Sequence, residues 1–135
     1  LLMPQGVALK IQLPVLPAII QADLHRLTQV ITNLINTAAK FTTQGYILIK
    51  YDYTHDKRWI QISVTDTGKG IPADKQAQVF ERFNKLDEFA QGTGLGLAIC
   101  QIIIEHFGGY ITLESKEGEG STFIVTLPYT PGLSV

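Results

Sequence analysis

The segment QVITNLINTAAKFT, residues 29–42, has the apolar spacing of an amphipathic helix, yet Asn33, Asn36, Thr37 and Lys40 interrupt it. At about 100° per residue, these four polar residues fall within one sector of roughly 100°, beside the apolar sector. Such a stripe is either the solvated face of a core helix or a binding surface. Asparagine is a poor helix former, so two on one edge need a reason other than helix propensity.

The apolar spacing extends this helix from about Asp23, a plausible N-cap, to about Thr42. Amide and hydroxyl oxygens suit a hard cation such as Mg²⁺, and the nearby Lys40 suits the phosphates that accompany Mg²⁺. The segment is therefore a candidate site for a metal ion and phosphates.

The composition indicates one globular domain and excludes polyanions as partners. The chain has 135 residues, of which 45% are hydrophobic, so a single domain can bury a substantial core. The net charge is −1, from 11 basic and 12 acidic residues that are well mixed along the chain. No basic field is available for nucleic acid or anionic lipid.

The single cysteine and the apolar runs bear on the cellular compartment. Cys100 has no partner for an intramolecular disulfide and is expected to be a buried thiol in a reducing compartment. No apolar run approaches the length of about twenty residues that spans a bilayer. The abrupt opening LLMPQG suggests a soluble fragment of a longer protein whose other parts can be membrane-bound.

The remaining periodicities predict further strands and helices around the first helix. The predicted strands are VALKIQL (7–13), YILIKYDY (46–53), RWIQISVTD (58–66), YITLES (110–115) and STFIVTLP (121–128). The first strand ends at Pro14, which favours a position at or near a sheet edge. The second and third strands, and likewise the last two, are separated by short polar turns and read as hairpins.

Two more helices are predicted, PADKQAQVFERF (72–83) and LGLAICQIIIEHF (95–107), with a loop between them. The second of these stops at Gly108 and Gly109, where glycine can adopt a left-handed conformation. The order of elements predicts an α+β fold, with helices packed on one face of a largely antiparallel sheet of about five strands.

Two glycine-rich segments complete the candidate site. In DTGKGI, residues 66–71, alternate glycines let the backbone bend around a flat ligand, and Asp66 can accept hydrogen bonds from an amino-bearing ring. In GTGLGL, residues 92–97, free N–H groups at a helix start favour an anion. GTGLGL does not follow a predicted strand, and no GxxxxGK[ST] segment exists, so the sequence fits neither the dinucleotide-binding fingerprint nor a P-loop. The three segments together describe a nucleotide pocket.

In this order and spacing, the motifs resemble the ATP-binding catalytic domain of two-component sensor histidine kinases, within the GHKL ATPase superfamily. DLHRLTQVITNLINTAAKFT looks like the asparagine box, DTGKGI the first glycine box, FERF at residues 80–83 the phenylalanine box and GTGLGLAIC the second glycine box. The resemblance covers nearly all of residues 1–135 as one domain. FERF separates kinases from the topoisomerase, mismatch-repair and heat-shock relatives.

The resemblance implies an α/β sandwich, with a mixed five-stranded sheet, three helices on one face, and ATP and Mg²⁺ held between the helices and a lid at residues 84–93. Asp66 would bind the adenine amino group, with a water that Thr122 helps to hold. Asn33 and Thr37 would face the metal, and Asn33 and Lys40 would act in catalysis. The implied nucleotide-binding residues are Asn33, Thr37, Lys40, Phe41, Asp66, Gly68, Gly70, Ile71, Gly92, Thr93, Gly94, Leu95, Gly96 and Thr122.

The asparagine box departs from the family pattern. The family has a second asparagine four residues after the first, whereas position 37 is threonine and Asn36 stands one place early. One residue moves a side chain by about 100° around the helix, so Asn36 points away from the apolar sector. Thr37 offers a weaker hydroxyl ligand, and we expect Mg²⁺-ATP to bind less tightly here. Asn36 as a replacement ligand and a domain that binds no nucleotide remain alternatives.

The reaction implied by the family is transfer of the ATP γ-phosphoryl group to a histidine on a separate dimerisation domain, upstream of a response regulator, in bacterial-type cytoplasmic signalling. His25, His55 and His106 lack the sequence context of the acceptor. Two alternatives are a nucleotide-sensing interaction module with a weakened metal site and a serine kinase of the anti-sigma type.

Overall fold

The computed structural model describes residues 6–12, 24–54, 56, 58–80 and 96–128. The strands and helices in these ranges follow the predicted order. They are β1 Val7–Gln12, α1 Leu24–Phe41, β2 Gly45–Tyr53, β3 Trp59–Asp66, α2 Ala73–Gln76, α3 Leu97–His106, β4 Tyr110–Lys116 and β5 Gly120–Pro128.

The strands form one mixed sheet in the order β1-β2-β3-β5-β4. The two predicted hairpins are confirmed, because β2 pairs with β3 and β4 pairs with β5, both antiparallel. β3 and β5 are also antiparallel and join the two hairpins at the centre of the sheet. β1 lies at the predicted edge and runs parallel to β2. A parallel pair needs a crossover connection, and α1 lies in it.

The core lies on one face of this sheet. Alternation along β3 and β5 points Val64, Phe123 and Val125 to the same side, where each is at most 1% exposed. α1 contributes the fully buried Val30 and Leu34 to this core. The 3.6-residue apolar spacing of the sequence therefore identified the buried face of α1 correctly. The helix begins at Leu24 in the structure, and the predicted N-cap, Asp23, lies outside the described residues.

The end of α3 confirms the predicted role of its glycines. Phe107 caps the helix, and Gly108 follows with φ of 87°. The N–H of Gly108 donates to the carbonyl of Glu105 at 2.9 Å, and that of Gly109 donates to Ile104 at 3.0 Å. These two bonds form a Schellman motif, which satisfies carbonyls that the helix end would otherwise leave without partners.

The helix predicted over residues 72–83 is wrong in its length. Within residues 72–80, the part of this segment that the structure describes, the helix covers Ala73–Gln76 alone, and Pro72 stands at its N-cap position. Beyond it the backbone changes to i→i−3 bonds, including Val79 N–H to the Gln76 carbonyl at 3.4 Å. None of the residues of α2 is buried, so no apolar face holds a longer helix on the sheet. Val79 and Phe80 lie in the turn that follows α2, where Val79 is buried and Phe80 is half-buried.

Candidate nucleotide-binding site

Two of the four polar residues that form the stripe on α1 are buried in the protein interior. Asn33 is 0% exposed and Thr37 is 1% exposed, whereas Asn36 is half-buried and Lys40 is exposed. The Thr37 hydroxyl donates to the Asn33 carbonyl at 2.9 Å, so part of its hydrogen-bonding capacity is used within the helix. Asn33 and Thr37 therefore do not lie on a solvated face of α1. Because both side chains are polar and buried, they need hydrogen-bond partners within the protein.

A contact between α1 and α3 orients the Asn33 amide. Asn33 Nδ2 lies 3.4 Å from Cys100 Sγ, and Cys100 is fully buried, as predicted. Cys100 stands in the first turn of α3, where its N–H donates to the carbonyl of Gly96 at 3.1 Å. The amide nitrogen is thus directed at α3, and the amide oxygen is the atom of this side chain that is able to bind a cation.

Asp66 ends β3 and is 4% exposed. Burial raises the pKa of its carboxyl group, and backbone hydrogen bonds from Gly68 and Ser121 oppose that shift. The bond from the Gly68 N–H to Asp66 Oδ1 is 2.9 Å long. A buried carboxylate needs such donors, and two separate segments of the chain provide them here.

The DTGKGI loop is joined to the end of α1. The Lys69 N–H donates to the carbonyl of Phe41 at 3.3 Å, and the Lys69 ammonium lies 5.0 Å from the centre of the Phe41 ring. A Cβ on Gly68 would lie 2.2 Å from the same Phe41 carbonyl, so this approach requires glycine. The structure therefore brings together Phe41, Asp66 and the loop glycines, which are far apart in sequence.

The other side of the loop is joined to the β4–β5 hairpin. The Gly118 N–H donates to the Lys69 carbonyl at 2.7 Å, and the Ile71 N–H donates to Ser115 Oγ at 2.8 Å. Gly70 has φ of 72°, and a Cβ there would lie 2.1 Å from the Lys116 carbonyl. The loop is thus held between a helix and a hairpin.

Thr122 is not brought to Asp66. In the β3–β5 register Asp66 pairs with Ser121 and Thr65 pairs with Thr122, so the two pairs lie on opposite faces of the sheet. The Thr122 hydroxyl contacts that of Thr65 at 3.0 Å. Ser121 occupies the position beside Asp66 that we had expected of Thr122. β3 and β5 are not consecutive in the chain, so no turn sets their register and no local sequence signal identified Ser121.

Several predicted site residues lie outside the described residues. They are Gly92, Thr93, Gly94 and Leu95, together with the lid at 84–93 and positions 81–83 of FERF. Gly96 is described and stands as the N-cap residue of α3. Lys40 lies in the last turn of α1.

The side chains of Asn33 and Thr37 are suitable ligands for a hard cation whose charge is balanced by the phosphates of a nucleotide. Asn33 and Thr37 lie one helical turn apart and offer an amide and a hydroxyl oxygen, both neutral and hard. Within the ranges that the structure describes, no group of three or more His, Cys, Asp or Glu could hold a metal ion by itself. Over the same part of the chain, no helix has the length and apolar character to cross a membrane.

The fold and these motifs define a protein class, and comparison with known proteins identifies it. The chain belongs to the family of histidine kinase-, DNA gyrase B- and HSP90-like ATPases, whose model matches residues 22–131. Among curated proteins it is 43% identical over 115 residues to the circadian input-output histidine kinase CikA of Synechococcus elongatus. It is 45% identical over 111 residues to the sensor protein SrrB of Staphylococcus aureus. The chain spans only 15% and 19% of the lengths of these two relatives.

Solved structures of histidine kinases are also similar to this chain. Full-length ShkA in complex with AMPPNP matches with a TM-score of 0.81 and 30% identity, over 96% of this chain and 27% of that one. The catalytic domain of the histidine kinase ThkA matches with a TM-score of 0.76 and 30% identity, over 93% of this chain and 80% of that one. The predicted α+β sandwich and the predicted family are both confirmed.

The loop geometry predicts unequal effects of alanine at two glycines. Gly118 has φ of 86° with nothing within 4 Å of a built Cβ, so Gly118→Ala should cost only the left-handed backbone strain, about 1–2 kcal/mol. Gly70→Ala adds a clash with a backbone carbonyl and should cost about 2 kcal/mol more. Urea unfolding of both variants measures the difference, and equal losses of stability would contradict the close approach.

The raised pKa of Asp66 predicts a pH-dependent effect of Asp66→Asn. An acid whose pKa is raised by folding binds more protons in the folded state, so its contribution to stability falls as pH rises from about 4 through the folded pKa. Asparagine lacks this penalty. The stability of the variant relative to wild type should therefore increase between pH 4 and pH 7, as measured by urea unfolding at both pH values. A constant difference would show that the carboxyl group is not perturbed.

Proposed function

We propose that this domain binds Mg²⁺-ATP and transfers its γ-phosphoryl group to a histidine on a separate dimerisation domain of the same kinase. The observation that carries the proposal is the buried Asp66 carboxylate, held by N–H groups of Gly68 and Ser121 beside the end of α1. A buried acceptor suits the amino edge of adenine, and the aromatic ring of Phe41 at the end of α1 suits its flat faces.

The base would lie against the DTGKGI loop. Asp66 would accept a hydrogen bond from the adenine amino group through a side-chain carboxyl oxygen. Phe41 would form an apolar wall, and Gly68, Gly70 and Ile71 would line the base. The two glycines let the loop pack against the Phe41 and Lys116 carbonyls, which fixes the loop in place for the base.

The phosphates would extend from the loop towards the inward stripe of α1. Lys40 would reach them, and the N-terminus of α3 at Gly96, with Gly92, Thr93, Gly94 and Leu95, would offer backbone N–H groups to them. Asn33 and Thr37 would hold Mg²⁺ through their side-chain oxygens. A bound Mg²⁺ neutralises charge on the phosphate oxygens.

Phosphoryl transfer from ATP to histidine depends mainly on how the two reactants are positioned. The acceptor imidazole nitrogen forms a bond to the γ-phosphorus as the bond from that phosphorus to the ADP oxygen breaks. Lys40 and the backbone N–H groups would stabilise the charge on the transferred group and the leaving group. The names of the relatives, a histidine kinase and a sensor protein, support a signalling role. The proposal includes a cytoplasmic location and a response regulator that receives the phosphoryl group next.

A second candidate is a nucleotide-sensing module that holds ATP without turning it over. It is favoured by Thr37, because its hydroxyl is buried and already donates to the Asn33 carbonyl, and a hydroxyl is a weaker ligand than an amide oxygen. The two candidates agree on ATP binding and differ in phosphoryl transfer.

Incubation with the purified dimerisation domain and radiolabelled ATP separates the candidates. We expect acid-labile phosphohistidine on the acceptor, with kcat/KM reduced about 10- to 100-fold in Asp66→Asn, because the amide replaces one of the two acceptor oxygens with an NH₂ donor. Asp74→Asn, which alters an exposed carboxylate on α2, is the matched control and should behave as wild type. ATP binding without label on the acceptor favours the sensing module. Acid-stable label would indicate a serine kinase.

The position of Thr37 predicts tighter metal-dependent binding in Thr37→Asn. An amide oxygen at this position would be a better Mg²⁺ ligand, so the affinity for Mg²⁺-ATP should rise about tenfold, whereas the affinity for ATP in EDTA should not change. Calorimetric titration measures both, with thermal unfolding to verify that the buried site accepts the larger side chain. Unchanged affinity would remove Thr37 from the metal site. Loss of the Mg²⁺ effect in Asn36→Ala would instead identify Asn36 as the ligand.

A further inference from the structure

The hydroxyl of Ser115 on β4 lies at the junction of the DTGKGI loop and the β4–β5 hairpin. Ser115 Oγ accepts the Ile71 N–H at 2.8 Å, lies 3.0 Å from the Gly120 carbonyl, and lies 2.7 Å from Ser121 Oγ. A serine hydroxyl has one proton and two lone pairs. Because a carbonyl can only accept, the Ser115 proton goes to Gly120, and the Ser121 hydroxyl must donate to Ser115.

This assignment links the two ends of the loop through one polar network. The backbone N–H of Ser121 bonds to the Asp66 carboxylate, and its side chain bonds to Ser115, which in turn holds Ile71. The hydroxyl of Ser115 is fully used by these three bonds. Throughout the described residues, no buried side-chain nitrogen or oxygen lacks a hydrogen-bond partner. Deletion of the Ser115 hydroxyl would remove the acceptor of the Ile71 N–H and the acceptor of the Ser121 hydroxyl.

Gln76 closes the network from the other side. Its Nε2 donates to the Ile71 carbonyl at 2.8 Å and to the Ser115 carbonyl at 2.9 Å, so both amide protons have acceptors. Ile71 is thereby held through its N–H by Ser115 and through its carbonyl by Gln76. No residue of α2 is buried, so these bonds, rather than apolar packing, fix Gln76 against the sheet.

We propose that Gln76 and Ser115 are positioning residues that hold Ile71, and with it the loop from Asp66 to Ile71, in the geometry that receives the adenine ring. The inference rests on the proposed function for its ligand. It assigns to α2 a role in base binding that its sequence does not suggest. Neither residue needs to touch the nucleotide, because each acts through the backbone of Ile71.

Binding of two probes separates base positioning from general damage. Gln76→Ala and Ser115→Ala should weaken ADP binding about tenfold, because each removes a hydrogen-bond partner from the backbone of Ile71, a residue that is 7% exposed. Inorganic tripolyphosphate, which has no base, should bind within about twofold of wild type. In phosphoryl transfer, the same variants should raise KM for ATP about tenfold with little change in kcat.

Three further variants sharpen the test. Ser115→Thr keeps the hydroxyl and should recover most of the ADP affinity. Gln76→Glu keeps the size of the side chain but turns a carboxylate towards two carbonyl oxygens, so it should weaken ADP binding at least as much as alanine does. Lys75→Ala changes an exposed neighbour on α2 and should bind ADP as wild type does.

Hydrogen exchange provides a readout that needs no nucleotide. The Ile71 amide proton should exchange at least about tenfold faster in Ser115→Ala than in wild type, and faster in Gln76→Ala as well. Unchanged exchange at Ile71 would overturn the inference, as would unchanged ADP affinity in both alanine variants or equal losses for ADP and tripolyphosphate. A wild-type domain that binds no ADP refutes the proposed function instead, and the exchange measurement then decides the positioning role separately.

Discussion

The burial of the Asp66 carboxylate is the constraint to which the rest of the site conforms. A carboxylate that is 4% exposed is costly unless donors replace the lost water, and the donors here are backbone N–H groups of Gly68 and Ser121. One comes from the loop that follows β3, and the other comes from β5. The loop and the hairpin must therefore approach the end of β3 together, and this approach places Ile71 within reach of Ser115.

The glycines follow from the same close approach. A Cβ on Gly120 would lie 2.1 Å from the Asp66 carbonyl, and one on Gly68 would lie 2.2 Å from the Phe41 carbonyl. These positions exclude side chains because backbone passes against backbone. The loop around Asp66 is therefore held by main-chain contacts to the sheet and to α1, and these contacts require glycine.

Local patterns predicted most of the elements, since alternation and 3.6-residue spacing are consequences of burying one face of a strand or helix. The hairpins, α1 and the glycine-terminated end of α3 were predicted for this reason. The helix over residues 72–83 was overextended because its apolar residues, Val79 and Phe80, suggested a buried helical face, whereas they are buried from a turn. Thr122 was expected beside Asp66, but in the register of β3 and β5 the residue opposite Asp66 is Ser121.

The amino-acid sequence by itself determined the order of the elements, the candidate loop around Asp66 and the family, because these depend on the spacing of neighbouring residues. Only the tertiary structure decided that Asn33 and Thr37 turn inward, and that Gln76, Ser115 and Ile71 meet. Asn33 contacts Cys100 across 67 residues of sequence, and Gln76 contacts Ser115 across 39. Such contacts form when the helices and the sheet pack together. The apolar spacing within one segment does not indicate which distant residue will hydrogen-bond to a polar side chain of that segment.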